Sequence, residues 1–347
     1  MTGFADRLKA RIARDGPVTV EAFMAAALMH YYGTRDPLGR AGDFVTAPEI
    51  SQVFGELIAL FLLQSWRDAG APKPVQLAEL GPGRGTLMSD IRRTLLKAGR
   101  DLAAAAQIHL VETSPALRAR QEALLGPDIH WHAELGTIPR GPLLLIANEL
   151  FDALPVRQLV RTDGGWAERC VGVDEQGRFV FVLGSETEGP STPARRPEDG
   201  EAVFELSPVR EALMTEIARR ISRDGVVALI IDYGHTVSAP GDTLQAVKGH
   251  RFTDPLAEPG DADLTAHVDF AALARMAEAA GAAVHGPVTQ GEFLTALGLP
   301  LRAERLKARD PGIEEAARRL TAPDQMGSLF KVMALSRIGQ GPLAGFP

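Results

Sequence analysis

The sequence predicts an α/β fold built on a doubly wound, mostly parallel sheet. Three observations point there: strand-like and helix-like runs alternate between residues 75 and 150, a glycine-rich turn joins the first strand to its helix, and the same rhythm returns after residue 205. "PVQLAEL" is a short apolar run stopped by glycines and reads as a buried strand. "TLMSDIRRTLLKAG" is an amphipathic helix, "AQIHLVETS" a second strand and "PALRARQEALLG" its helix. "IHWHAEL" reads as a third strand or extended turn, and "GPLLLIANELFDALPV" opens with the most apolar strand of the chain.

Around this core the pattern differs. Residues 1–72 read as helices, with Thr19 as a cap, interrupted by the Gly-, Pro- and Asp-rich stretch "YGTRDPLGRAGDFVTAPEI". Residues 73–155 and 205–240 form the expected α/β core. Between them, 156–204 alternates in the manner of an inserted β-meander, with polar turns at Asp163–Gly165 and Asp174–Gly177, and ends in a Pro- and charge-rich loop. "VVALIIDYGH" resumes the strands, 235–266 reads as a long loop, and 241–347 as a helical region closing on the strand "SLFKVMALS".

Bulk properties narrow the function classes. A net charge of −7 and a pI near 5.7 give no general electrostatic support for nucleic-acid binding. No apolar run reaches the roughly 18 residues of a membrane span. Cys170 is the only cysteine, so no intrachain disulfide can form, which suits a reducing compartment. The N-terminal stretch lacks the apolar centre of a secretory signal, and Asp6 and Asp15 argue against a transit peptide. The Ala-, Arg- and Gly-rich composition looks bacterial, hence cytoplasmic.

The turn "LAELGPGRGTLMSDI" carries the chemistry. Its glycines are Gly81, Gly83 and Gly85, and Thr86 stands where a dinucleotide fingerprint has its third glycine. No Gly-Lys-Ser/Thr follows, which excludes a phosphate loop. G-x-G-x-G preceded by an acid resembles the first motif of class I S-adenosylmethionine (SAM) methyltransferases. Glycines let the backbone lie against that ligand without Cβ clashes, Glu79 suits its ammonium, and helix N–H groups suit its carboxylate. Glu112, 27 residues after Gly85 and after the second strand, is the acceptor expected for ribose hydroxyls. Separately, each piece has a plain alternative, a turn or a surface carboxylate.

Ligands in such sheets sit outside the carboxyl ends of the strands, which brings Asn148, Glu149 and Asp152 into view. The tetrapeptide Asn148-Glu149-Leu150-Phe151 lacks the prolines of the Asn/Asp-Pro-Pro-aromatic motif of adenine methyltransferases, although "ELGPGRGTL" echoes the rRNA adenine dimethylases and keeps that reading open. Carboxylates instead suit a cationic acceptor. A guanidinium, with a pKa above about 12, must be held by acids and aimed at the methyl group. Glu149 and Asp152 are the candidates for orientation and proton acceptance; an ion pair for Glu149 and a turn cap for Asp152 are the alternatives. Asp232, Tyr233 and His235 end another buried strand, and His267 and Asp269 are further substrate-side candidates, with Asp269 equally an N-cap. His130 and His132 share a strand face, which alone does not make a zinc site, so no metal is expected.

"YYGTRDPLGRAGDFVTAPEISQVFGELIALF", "ELGPGRGTLMSDI", "ANELFDALPV", "IDYGH", "DADLTAHVDF", "TQGEFLTALG" and "DQMGSLFKVMAL" together resemble the MidA-like SAM-dependent methyltransferases, over about residues 15–336. That family includes a mitochondrial complex I assembly factor with protein arginine methyltransferase activity. The resemblance implies a class I SAM-methyltransferase core with helices before it and an inserted substrate region, SAM as cofactor, and a protein substrate, in the mitochondrial members a complex I subunit. It also implies that "GDFVTAPEIS" folds over the cofactor, making Gly42, Asp43, Phe44, Thr46 and Ser51 lid candidates; the alternative is that Pro48 and Ser51 only start the next helix. Met326-Gly327-Ser328-Leu329-Phe330 departs from the family's Met-Gly-Glu-Arg-Phe. The expected function is therefore methylation of a protein side chain, arginine above others. The rivals are an RNA or small-molecule methyltransferase on the same fold, and a SAM-binding assembly chaperone without turnover. The long apolar N-terminal helix leaves a homodimer open.

Overall fold

The structure is a computed structural model that describes residues 3–34, 45–189 and 203–347. Contacts divide the chain into two units: one holds 45–150, 213–236 and 270–347, the other 1–44, 151–212 and 237–269.

In the first unit the central sheet runs Ala282–Thr289, Phe330–Arg337, Val226–His235, Leu143–Asn148, Val75–Leu80, Ala106–Val111, His130–His132. The last five pair in parallel, and the first two form an antiparallel addition beside Val226–His235. Chain order reverses at Val75–Leu80, which has later strands on both sides. A doubly wound sheet places its ligand crevice at such a point. Strands Val75–Leu80 and Leu143–Asn148 are buried at every position, the pattern of parallel strands covered on both faces.

Local chemistry sets the helices. Ser51 Oγ accepts from Val53 N–H at 3.2 Å and caps Gln52–Asp68, whose Phe54, Phe61, Leu62 and Trp66 are at most 1% exposed. Burying side chains of this size contributes about 1.5–3 kcal/mol each. Ser114 caps Pro115–Leu125, which has proline in its first turn.

The second unit contains helices Phe4–Asp15 and Val20–Thr34 and the inserted meander: Arg157–Thr162, Gly165–Val173 and Phe179–Thr187, with Val18–Thr19 and Val203–Leu206 completing the sheet. The structure departs from expectation at two places. Within 235–266, Gln245–Lys248 pairs antiparallel with both Arg251–Thr253 and Asp263–Thr265. Strands this short alternate over too few residues to stand out. Inside the region expected to be helical, Ala282–Thr289 is a strand; its pairing slips between His285 and Val288, around Gly286-Pro287. That dipeptide reads as a break, and the fold accommodates it as an irregularity in an outer strand.

His109, on Ala106–Val111, sits with Nε2 against Gln76 Oε1 and Nδ1 2.9 Å from His132 Nε2. Burial and the neighbouring histidines pull its pKa from 6.5 to about 4. The unfolded chain therefore takes up a proton that the folded one refuses, and stability rises with pH across that window. Urea unfolding should show up to about 3 kcal/mol lost between pH 6.5 and 4 from this group, and His109→Asn should remove its part of the slope.

Candidate functional site

At the carboxyl edge of the sheet, Leu80 pairs with Val111 on one side and Ala147 on the other. One residue further, Gly81, Glu112 and Asn148 emerge side by side, about 5 Å apart strand to strand. Glu79, Glu112 and Asn148 belong to the same face, by the alternation of side chains along paired strands.

The turn after Glu79 is left-handed at each of its glycines: φ is +63° at Gly81, +52° at Gly83 and +84° at Gly85. A Cβ at Gly81 would lie 2.8 Å from Leu150 Cδ1, so backbone conformation and close approach both require glycine there. Gly85 N-caps helix Thr86–Ala98. Glu79 is 3% exposed. Met88 N–H donates to its carboxylate, while burial raises its pKa from 4.5 to about 8. Its Oε2 is buried without a hydrogen-bond partner among the described residues. Glu112 accepts from Ser114 N–H at 2.7 Å and from Gln121 Nε2 at 3.2 Å; burial raises its pKa against those donors.

Asn148 is 8% exposed. Its Nδ2 donates to Glu149 Oε1 at 3.1 Å, and its buried Oδ1 has no partner among the described residues. Glu149 adopts φ +52°, unusual for a side chain of that size. Its Oε1 also accepts from Ala47 N–H at 2.9 Å, at the first residue of the short helix Ala47–Ile50. Thr46 N-caps that helix through its backbone only, and Glu49 accepts from the Thr86 hydroxyl. The strand end, helix Ala47–Ile50 and the glycine-loop helix are thereby tied together. Ser51 spends its hydroxyl on capping the next helix. Gly42, Asp43 and Phe44 lie outside the described residues.

Asp232 is fully buried and accepts from Leu150 N–H at 3.2 Å and Tyr233 N–H at 2.9 Å, so it fixes the turn after Glu149. Tyr233 packs edge-on against Phe330; His235 is half-buried. In the second unit, Asp152 and His267 are brought together by a residue the sequence did not single out. Buried Arg210 donates Nη2 to the carbonyls of Asp152 (2.9 Å) and Ala266 (3.1 Å), Nη1 to His267 (2.7 Å) and Nε to Leu154 (3.2 Å). Ala266 N–H also donates to Asp152 O. Tyr32 in the same unit donates to Asp263 Oδ1 at 3.0 Å, and burial beside Asp263 and Asp152 holds its phenol well above the usual range. The available signal for Arg210 was its spacing: it precedes buried Met214 and Ile217 by four and seven residues on one helix face.

Residues 57–288 match the family model described as "Putative S-adenosyl-L-methionine-dependent methyltransferase". The chain belongs to this family. Among curated proteins, the "Protein arginine methyltransferase NDUFAF7 homolog, mitochondrial" of Drosophila melanogaster is 40% identical over 99% of this chain and 88% of its own. The human "Protein arginine methyltransferase NDUFAF7, mitochondrial" is 34% identical over 96% and 83%. A solved structure of a "likely methyl transferase" from Burkholderia thailandensis, bound to S-adenosyl-homocysteine, superposes with TM-score 0.80 at 28% identity, covering 99% of this chain and 93% of that one.

The residues present fit the cofactor of a SAM-dependent methyltransferase. Three left-handed glycines leave the turn bare, Glu79 offers an unpartnered buried oxygen for an ammonium, and Glu112 keeps lone pairs for ribose hydroxyls. The cofactor supplies the activated methyl group. An ammonium beside Glu79 favours its ionised form, so at pH 7 SAM binding should release close to one proton, read by calorimetry in buffers of different ionisation enthalpy. Glu79→Gln should abolish the release. Gly81→Ala should abolish measurable binding of the cofactor while leaving a folded protein.

Proposed function

We propose that this methyltransferase acts on arginine side chains of a protein substrate, in the line of its relatives named protein arginine methyltransferases. The observation that carries the reading is the set of acceptors after strand Leu143–Asn148. Asn148 turns its Nδ2 toward Glu149 and leaves Oδ1 unpartnered and buried, while Glu149 is a carboxylate held in a strained backbone conformation. The Asn148 oxygen, which has no partner among the described residues and stands beside a carboxylate, calls for an N–H-rich cation, and a guanidinium is the side chain that fits.

In this reading Asn148 and Glu149 hold the guanidinium so that one nitrogen lies in line with the methyl carbon. The nitrogen's electron pair forms the new C–N bond as the C–S bond breaks. The proton then leaves the methylated guanidinium group, and Glu149 is its acceptor. Asp152 is the second candidate for orientation and proton acceptance, and Asp232, Tyr233, His235 and His267 are the substrate-side positions. Asp232 acts there by fixing Leu150, and Asp152 and His267 by the geometry that Arg210 imposes on their backbone. Thr46 and Ser51 belong to the proposed lid. Complex I assembly, with a complex I subunit as methyl acceptor, is the process proposed. A cytoplasmic location fits a bacterial source; the named relatives are mitochondrial.

Labelled SAM and a lysate test the proposal: label that protease removes, RNase spares and acid hydrolysis returns as methylarginine is the expected outcome. Label in RNA or small molecules would overturn it. Glu149→Gln keeps an oxygen for Ala47 N–H, so it should lower transfer by about a hundredfold or more with cofactor affinity changed less than about threefold. A partner captured stably with no methyl incorporated would instead favour a chaperone.

A further inference from the structure

Helix Pro115–Leu125 buries Leu117, Gln121 and Leu125 along one stripe. An amide in the middle of such a stripe destabilises the fold unless its hydrogen-bonding groups are satisfied. Gln121 is 0% exposed. Its Nε2 donates to Gly83 O at 2.7 Å and to Glu112 Oε2 at 3.2 Å, and its Oε1 accepts from Trp131 Nε1 at 2.9 Å. The indole N–H can only donate and the Gly83 carbonyl can only accept, so the partners themselves fix which way round the amide lies.

Building on the SAM-site reading, we propose that Gln121 is a positioning residue for the cofactor, a single buried amide that sets both the glycine turn and the ribose-binding carboxylate. Through Gly83 O it fixes the plane of the Gly83–Arg84 peptide, in a turn whose glycines have no side chains of their own to hold them. Through Glu112 Oε2 it fixes one carboxylate oxygen while Ser114 N–H fixes the other. Together with Thr113 N–H, these donors occupy most of the roughly four lone-pair directions of Glu112 and hold the carboxylate in place. The same donation opposes the upward pull of burial on the Glu112 pKa, which favours the ionised form that ribose hydroxyls need. Gly85 is built around the same residue: a Cβ there would lie 3.4 Å from Gln121 Cγ and 3.3 Å from Leu125 Cδ1.

The test is calorimetric binding of S-adenosyl-homocysteine from pH 5 to 9, with the full chain and the variants Gln121→Met and Gln121→Glu. Gln121→Met preserves the stripe and removes the hydrogen bonds. It should weaken binding about tenfold to a hundredfold at pH 8, the usual effect of losing a hydrogen bond to a charged group. The acid limb of the pH profile should also move to higher pH, a change that a merely structural role would not produce. Gln121→Glu places a second carboxylate beside Glu112, so its binding should be weaker at pH 8 than at pH 6. If Gln121→Met fails to fold, Trp131→Phe keeps an aromatic ring, removes the N–H that orients the amide and should shift the same limb in the same direction. Variants that bind like the parent with an unmoved profile overturn the positioning role alone. A parent protein that binds no S-adenosyl-homocysteine overturns the cofactor reading and this role with it.

Discussion

The site depends on one close approach, that of Leu150 to Gly81. The two residues leave adjacent strands of a parallel sheet, and the space between them does not admit a Cβ at residue 81. The Leu150 backbone is held in place by buried Asp232, which accepts from its N–H. Asp232 in turn sits at the end of a strand paired on both sides. A chain of contacts therefore runs from Asp232 through Leu150 to the glycine turn, and Glu149 lies inside it. The left-handed conformation of Glu149 follows: the backbone must reverse between Asn148 and Leu150 to satisfy both neighbours. Strain of this kind, of order 1–3 kcal/mol, persists only where surrounding contacts over-determine it.

Electrostatics follow from the same geometry. A parallel sheet gathers its strand ends in a layer, and here that layer carries Glu79, Glu112, Asn148 and Glu149, acceptors almost without exception. Their environments differ, and so do their fitted roles. Glu79 has one backbone donor and deep burial, so it favours its neutral form until a cation arrives. Glu112 has donors on both oxygens, and they oppose the upward pull of burial on its pKa. Related carboxylates on neighbouring strands thus differ in electrostatic character through their burial and partners.

What could be read from the sequence was what is local in the chain. The glycine turn, Glu79 two residues before it, and Glu112 at the next strand end are all set by spacing along a strand–loop–helix unit. Asn148 and Glu149 follow from an apolar run that ends in polar residues. The residues that escaped notice act across long separations. Arg210 gathers carbonyls from 56 to 58 positions away, and Gln121 reaches 38 residues to Gly83. Both left a similar trace, a polar side chain on the buried stripe of a helix, Gln121 in its middle and Arg210 at its start. The small sheet within 245–265 and the strand at 282–289 were hidden for another reason. Their short pairings are stabilised by partners elsewhere in the chain, and local propensity carries little of that information.

Glu149 and Asp152 look like one carboxylate pair in the sequence, three positions apart. The structure holds them by different means. Glu149 is fixed by side-chain bonds to Asn148 and Ala47 and by its own strained backbone. Asp152 is fixed through its main-chain carbonyl, which accepts from both Arg210 and Ala266. The boundary between the two compact units falls between them, at residues 150–151. Substituting the Glu149 side chain therefore changes hydrogen bonds that hold it in place, whereas substituting the Asp152 side chain leaves its backbone clamp intact. The clamp belongs to Arg210, and through it Asp152 and His267 are held as one body.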